Sequence, residues 1–589
     1  MDTEPVITKE VKPGARWPGP AEAARIAPGR EERLFLLLSI FIGVISGLLV
    51  VAFRMAIEWL HVLLLGSSPA PGQHRLLIMP ALAGVLIALL TRYLFPNVRG
   101  SGINQTKAAF YIHNGYISTR TVIGKFLLSA LAIGSGHSLG PEDPSLQIGA
   151  GVASFISRKM GMSKAKLRIF APVGAAAGLA AAFNAPISAI LFVIEEVIGQ
   201  WSAAVLGSIV LSAVSSVVVA RWFWGTEPMF RIPAVNLRDP RELIAYAVLG
   251  VVGGFASLLF ARSLGYLRPL LRRQPTWSQL GQPALAGLMV GAIGYFGFPQ
   301  VMGAGYEAID QAMHSQFAWK MLLVLALFKI LATTLSFSSG TPGGMFAPTL
   351  FVGAMLGAGV GAFEKIYFPH VTGSLGSYAL VGMGVLFAGF LRAPLTSVFM
   401  VLEVSGNYSI VIPVILANTI AYLIGRTLQP VPIFEMMTHQ DGLYLPSMEE
   451  QREESNLHLE DAMRPLDVPV LQAAGTIDDA ARELAAHGGL KDVSVALVRY
   501  PSGLWYAAKR DELAAILANP AGEQQSAGLS LGDRLGGERT PLLFPDLPLD
   551  SVLPYFERWP LLPVSNRAVR GAVEGVISLD DVLNRYRRR

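Results

Sequence analysis

The chain contains two copies of one unusual segment, and each copy is a helix interrupted by glycine and proline. Residues 125–149, KFLLSALAIGSGHSLGPEDPSLQIG, align with residues 329–353, KILATTLSFSSGTPGGMFAPTLFVG, without gaps at a constant offset of 204. Lys125 falls on Lys329, Gly136 on Gly340, Gly140 on Gly344, Pro144 on Pro348 and Gly149 on Gly353. A second pair follows at an offset of 208: NAPISAILFVIEE (184–196) matches RAPLTSVFMVLEV (392–404), setting Pro186 on Pro394 and Glu195 on Glu403. Chance similarity among apolar segments does not keep Lys, Gly and Pro in register. Two halves interrupted at corresponding places are the mark of a transporter built from repeats, with its binding site between them near the bilayer midplane.

Composition places this pattern in lipid. Of 589 residues, 52% are hydrophobic and only 15% charged, against about 25% charged in soluble domains. Disordered chains, disulfide scaffolds and ordinary soluble enzymes are excluded, and with no cysteine, thiol chemistry is excluded as well. The net charge of +5 is read as basic loops and tails. Residues 1–33 are polar and form a tail; Leu34–Phe53 is the first run long enough to span. Arginines and lysines ahead of it favour a cytoplasmic N-terminus. Further apolar blocks follow at 77–95, 121–135, 146–157, 168–198, 202–223, 241–260, 283–298, 320–337, 344–363, 376–404 and 409–425. Several are too short to cross alone, which is tolerated only where they line a cavity or are buried in protein. The expected organisation is an all-α polytopic transport domain over 34–440, its repeats spanning about 34–225 and 240–430. Residues 446–589 carry charge at soluble density and are expected to form a small cytoplasmic α/β domain, with loops at Pro501–Gly503 and Pro520–Gly522.

Each glycine-rich bend leads through a proline into an apolar run: Gly140-Pro141-Glu142-Asp143-Pro144 and Gly344-Met345-Phe346-Ala347-Pro348. Proline suits the first helical turn, so each bend opens a helix and leaves backbone N–H groups at its positive end. Two such ends converging in low dielectric make a site for a small anion.

At these segments the chain resembles the CLC family of chloride channels and chloride/proton antiporters. Gly100-Ser101-Gly102-Ile103 is similar to the family's GSGIP loop, Gly140–Pro144 to its GREGP loop and Gly343–Pro348 to its GGxFxP loop. The resemblance implies the CLC fold, an inverted repeat of broken helices, and transport of chloride in a homodimer. It implies that Ser101, Gly140 and the amides of Met345 and Phe346 bind the anion, with Phe434 at the place of a tyrosine whose hydroxyl touches it. It makes Glu142 the external gating and proton-transfer carboxylate, mimicking an anion when charged. Glu196 falls at the family's internal proton glutamate, which antiporters generally carry. Its repeat mate is Val404, whereas Glu195 pairs with Glu403 and looks architectural. Lys125 and Lys329, deep in apolar runs, are read as fixed positive potential, with snorkelling to the interface as the alternative for Lys329. His113 and His137 have no neighbours that complete a metal set.

Four positions depart from the family pattern: Pro141 and Asp143 flank the gating glutamate in place of Arg and Gly, Asn104 stands for Pro, and Phe434 has no hydroxyl to donate. The C-terminal region resembles a pair of CBS modules. Ser578 and Asp581 open a helix at the spacing that contacts phosphate and ribose of an adenine nucleotide in that module; a purely structural platform is the alternative. The expected activity is chloride/proton antiport across the cell (inner) membrane, with a passive chloride channel as the alternative. No cofactor is required. An intramembrane enzyme is disfavoured, because no nucleophile–base pair accompanies Glu142 and Asp143. A nucleotide-sensing receptor on an inert anchor would need no broken helices.

Overall fold

The computed structural model describes residues 28–162, 164–199, 203–230, 239–275, 277–370, 372–443, 445, 457–518, 530–566 and 572–587. The Pro520–Gly522 loop and most of the expected N-terminal tail lie outside the described residues. The chain divides into two compact units, Met1–Met448 and Glu449–Arg589.

The larger unit is helical, and its two halves run through the same series. The first half carries α1 (Pro28–Leu65), α2 (His74–Tyr93), α3 (Ile103–Tyr111), α4 (Thr119–Gly134), α5 (Glu142–Lys159), α6 (Lys164–Phe183), α7 (Pro186–Phe192) and α8 (Ala203–Trp224). The second half carries α9 (Glu242–Arg272), α10 (Gln282–Tyr295), α11 (Tyr306–Met313), α12 (Trp319–Ser338), α13 (Phe346–Tyr367), α14 (Leu375–Leu386), α15 (Pro394–Ser405) and α16 (Val411–Leu428), with α17 (Ile433–Gln440) added at its end. Among the described residues, eight helices are long and apolar enough to cross a membrane. The short ones, α3, α7, α11 and α15, lie among them, as backbone ends at membrane depth require.

Helix breaks follow from local chemistry. The apolar blocks 168–198 and 376–404 both divide. Asn184 and Arg392 adopt positive φ, 54° and 63°. Each precedes Ala-Pro, and a residue before proline is pushed out of the α region. Pro186 and Pro394 then open α7 and α15 at a first-turn position. Beyond its start, α7 continues into a π-helical turn at Val193–Ile198, and α14 into one at Phe387–Leu391.

Glycine sets how closely the central helices pack. A Cβ on Gly149 of α5 would meet the Gly174 carbonyl of α6, and one on Gly353 of α13 would meet the Gly382 carbonyl of α14. The two contacts are the same contact in the two halves. They bring α5 and α13 into the middle of the unit, where every residue from Glu142 to Ser154 and from Phe346 to Gly359 is buried.

In the smaller unit, β2 (Val470–Gln472), β3 (Val495–Arg499) and β4 (Trp505–Lys509) form one three-stranded sheet, β2 parallel and β4 antiparallel to β3. β1 (Arg464–Pro465), β6 (Val573–Ser578) and β5 (Leu561–Ser565) form another, β6 pairing antiparallel with both neighbours. α18 (Ile477–Ala486), α19 (Arg510–Ala518), α20 (Leu531–Arg534) and α21 (Leu579–Arg587) complete an α/β unit in which β4 runs into α19 and β6 into α21.

Candidate functional site

The two glycine-rich bends meet. The Gly140 N–H donates to the Gly344 carbonyl at 2.8 Å, and the Gly344 N–H donates back to Gly140 at 2.7 Å. This single antiparallel bridge sets the start of α5 against the start of α13. A side chain at Gly344 would lie 2.7 Å from the Asp143 carboxyl, so glycine there is a steric requirement. Gly140, expected to bind the anion, has its amide engaged by the Gly344 carbonyl. Around the second start, the Phe346 ring is fixed by Phe192, centroids 4.8 Å apart, and by Phe387 at 5.1 Å.

Two carboxylates stand at this junction, both fully buried. Glu142, the first residue of α5, accepts a hydrogen bond from the Tyr306 hydroxyl through Oε1, and the Ala347 N–H acts on its carboxylate, whose Oε2 has no hydrogen-bond partner among the described residues. Arg54 of α1 and Lys329 of α12 act on it electrostatically. Asp143 reaches the other helix: its Oδ2 accepts the Met345 N–H at 3.0 Å, the Phe346 N–H also acts on the carboxylate, and Oδ1 has no hydrogen-bond partner among the described residues. Lys125 acts on Asp143. The Met345 amide, expected to face an external anion, is therefore held by a side chain of the protein.

The two lysines have a structural task beyond their charge. Lys125 Nζ donates to the carbonyls of Val98 (2.9 Å) and Gly100 (2.7 Å). Lys329 Nζ donates to those of Val301 (3.0 Å) and Gly303 (2.8 Å). These carbonyls belong to a further repeat, Phe95–Ile103 (FPNVRGSGI) against Phe298–Tyr306 (FPQVMGAGY) at an offset of 203. Gly100 and Gly102 have φ of 82° and 112°, and Gly303 and Gly305 have 57° and 86°. Both lysines are 0% exposed, so Lys329 does not snorkel.

Ser101 lies in the first of these loops, 4% exposed. Its Oγ accepts the Ile103 N–H at 3.3 Å, which leaves the hydroxyl proton free to be donated. Phe434 opens α17 close by, and its carbonyl accepts from the Asn104 side chain at 3.2 Å. Asn104, standing for proline, thus ties α3 to α17. A cavity of about 580 Å³ opens on Ser101, Asn104 and Gln147, with Arg99, Arg268 and Arg272 also in its wall. Asp441, in the same wall, pairs with both Arg268 and Arg272. Gln147 is fully buried, and both polar atoms of its carboxamide lack partners among the described residues.

Glu195 and Glu403 trade places between the halves. Glu195 accepts from the Leu395 N–H (3.4 Å), the Thr396 N–H (3.0 Å) and the Thr396 hydroxyl (2.7 Å) at the start of α15. Glu403 accepts from the Ile187 N–H (3.0 Å), the Ser188 N–H (2.7 Å) and the Ser188 hydroxyl (2.5 Å) at the start of α7. Glu196 sits in the adjoining π turn and pairs instead with Lys107 of α3, Nζ to Oε1 at 3.2 Å. Tyr306, Lys107 and Gln147 were not singled out from the sequence. Tyr306 had a signal, since it closes the overlooked GAGY copy of the Ser101 loop.

In the smaller unit, Asp581 Oδ2 accepts from the Ser578 N–H (2.9 Å) and hydroxyl (2.6 Å), and pairs with Arg464 Nε at 2.9 Å. Ser578 and Asp581 therefore close on each other as the cap of α21.

Comparison with known proteins gives a consistent result. The family model described as voltage gated chloride channel matches residues 83–426. The H(+)/Cl(-) exchange transporter ClcA of Salmonella arizonae is 31% identical over 411 residues, covering 68% of this chain and 87% of the relative. The ClcA of Salmonella paratyphi B matches at the same identity and coverage. A slow cyanobacterial Cl-/H+ antiporter superposes with a TM-score of 0.63 at 24% identity, over 71% of this chain and 99% of that one. A eukaryotic CLC transporter gives 0.61 at 20% identity, over 93% and 97%. The two structural matches bear on the fold.

Proposed function

This chain belongs to the voltage-gated chloride channel (CLC) family, and from that premise we propose that it exchanges chloride for protons across a membrane. The observation that carries this reading is the Gly140–Gly344 bridge, which sets two helix starts nose to nose around the buried Glu142. Backbone amides at helix starts favour an anion without a formal cation. A charged Glu142 competes with chloride for that field; a protonated one loses the attraction and gives way. One carboxyl group then carries the proton and yields the seat, which couples the two fluxes. In this reading Ser101 donates its hydroxyl to the anion, the Phe346 amide contributes from the opposing helix, and the cavity at Ser101 supplies chloride from one side.

Glu196 is the inner proton carrier in this scheme, and Lys107 is its ion-pair partner, Nζ to Oε1 at 3.2 Å. The passive-channel reading is favoured by one observation, the absence of a hydroxyl at Phe434. We further assign a homodimer with one pathway per subunit and cytoplasmic termini. The smaller unit is assigned as a CBS-like pair in which Ser578 and Asp581 serve as a helix cap. An adenine nucleotide there would first have to displace Arg464 from Asp581.

The test is flux from liposomes reconstituted with the purified protein. A chloride gradient is expected to drive protons uphill, and chloride flow without protons would establish the channel. Glu142→Gln is expected to keep anion flow and abolish proton movement. Undiminished proton transport in that variant would remove Glu142 from the mechanism.

A further inference from the structure

Asp143 is placed where a transported anion is expected. It is the second residue of α5, fully buried, and its Oδ2 lies 3.0 Å from the Met345 N–H at the start of the 22-residue helix α13. That amide is one of the orphan donors at the positive end of a long helix dipole. A carboxylate oxygen and a halide are both monovalent acceptors for such a donor. The other oxygen, Oδ1, has no hydrogen-bond partner among the described residues and lies against Gly344, with the Phe346 N–H the next donor acting on the carboxylate. One turn along the same helix, Gln147 is fully buried with both carboxamide atoms unpartnered among the described residues, its Oε1 packed against Gly102 of the Ser101 loop. Buried polar groups normally find partners, and an exception asks what completes it. Between Asp143, Gln147 and the Ser101 loop, the structure has donors prepared for an anion and a side chain already seated on one of them. The second half offers no counterpart, because Ala347 stands at the equivalent of Asp143.

We propose that Asp143 is a resident competitor for the transported anion, a second carboxylate beside Glu142 that occupies the Met345 amide and must vacate it before an external anion binds there. Asp143 is then an affinity- and specificity-determining residue: an anion is admitted only if it binds the vacated amide more strongly than the tethered carboxylate does. Lys125 stabilises the seated form, since it acts on Asp143 as Lys329 acts on Glu142. The expected consequence is weak anion binding in the native protein, because apparent affinity falls with the fraction of molecules whose site is open. This proposal rests on the anion-transport reading above.

The test is chloride titration by calorimetry on the purified full chain, with chloride efflux from liposomes as the second readout. Asp143→Gly removes the competitor and is expected to tighten chloride binding by about tenfold or more, as for a site that is closed nine-tenths of the time. Asp143→Asn keeps an acceptor of the same shape without its charge and is expected to fall between the native protein and Asp143→Gly. If the glycine variant fails to fold, the asparagine variant carries the test alone: tighter binding than native supports the proposal. Native affinity in the folded variants, with chloride efflux intact, overturns the proposal and leaves the transport reading standing. Absence of chloride binding and efflux in the native protein overturns both.

Discussion

The two halves of the larger unit share their scaffold and differ in their chemistry. In each, a lysine clamps two carbonyls of a glycine loop, a proline lies in the first turn of a central helix, and a glutamate closes a helix start in the opposite half. Only the first half, however, sets acids at the start of its central helix: Glu142 and Asp143 stand where the second half has Phe346 and Ala347. Glu196, paired with Lys107, likewise faces a plain Val404 in the alignment. Duplication thus accounts for the shape of the site, and later divergence for its ability to handle protons. A feature present twice is to be explained by folding, and a feature present once by function.

Three sets of substitutions press on this distinction. The largest effect is expected from the lysines. Lys125→Met and Lys329→Met each strip the donor from two buried carbonyls, at about 1–3 kcal/mol apiece. Both should lose monodisperse protein in gel filtration to a similar degree, and severe loss from one alone would break the equivalence. The reciprocal glutamates come next. Glu195→Gln and Glu403→Gln each convert a charged acceptor into a neutral one, for an expected loss of about 2 kcal/mol. A comparable fall in Tm for both is the predicted result, with anion transport retained in whatever protein folds. The smallest effect belongs to the one-sided set. Tyr306→Phe removes the hydroxyl on Glu142 and should leave Tm near native while freeing the carboxylate by about 1 kcal/mol, or about fivefold in chloride flux. A flux unchanged by this substitution would detach Tyr306 from the gate.

What was legible in the sequence divides along the same line. The helix breaks at Gly140, Pro144, Gly344 and Pro348 could be read directly, because backbone geometry demands particular residues there. The lysines were read as a field for anions, since an apolar run shows that an ammonium is buried without showing what it bonds; the acceptors lie more than twenty residues upstream. The division of 168–198 and 376–404 was signalled by Ala-Pro and obscured by unbroken apolarity on either side. Asp143 was recognised as a departure beside Glu142, but nothing local reveals that its side chain crosses to the amide of Met345, 202 residues away. Contacts between the halves are set by tertiary packing, and no pattern within one segment encodes them.

The exchange of Glu195 and Glu403 bears on how the chain is made. Glu195 is synthesised about 200 residues before the backbone groups of Leu395 and Thr396 that receive it, an interval of roughly 10–40 s at 5–20 residues per second. Throughout that wait the newborn first half holds an acid destined for a dry interior with nothing yet to quench it. That segment must therefore stay wet, or keep its proton, until the trailing half arrives, and final consolidation of the leading half belongs to the end of translation.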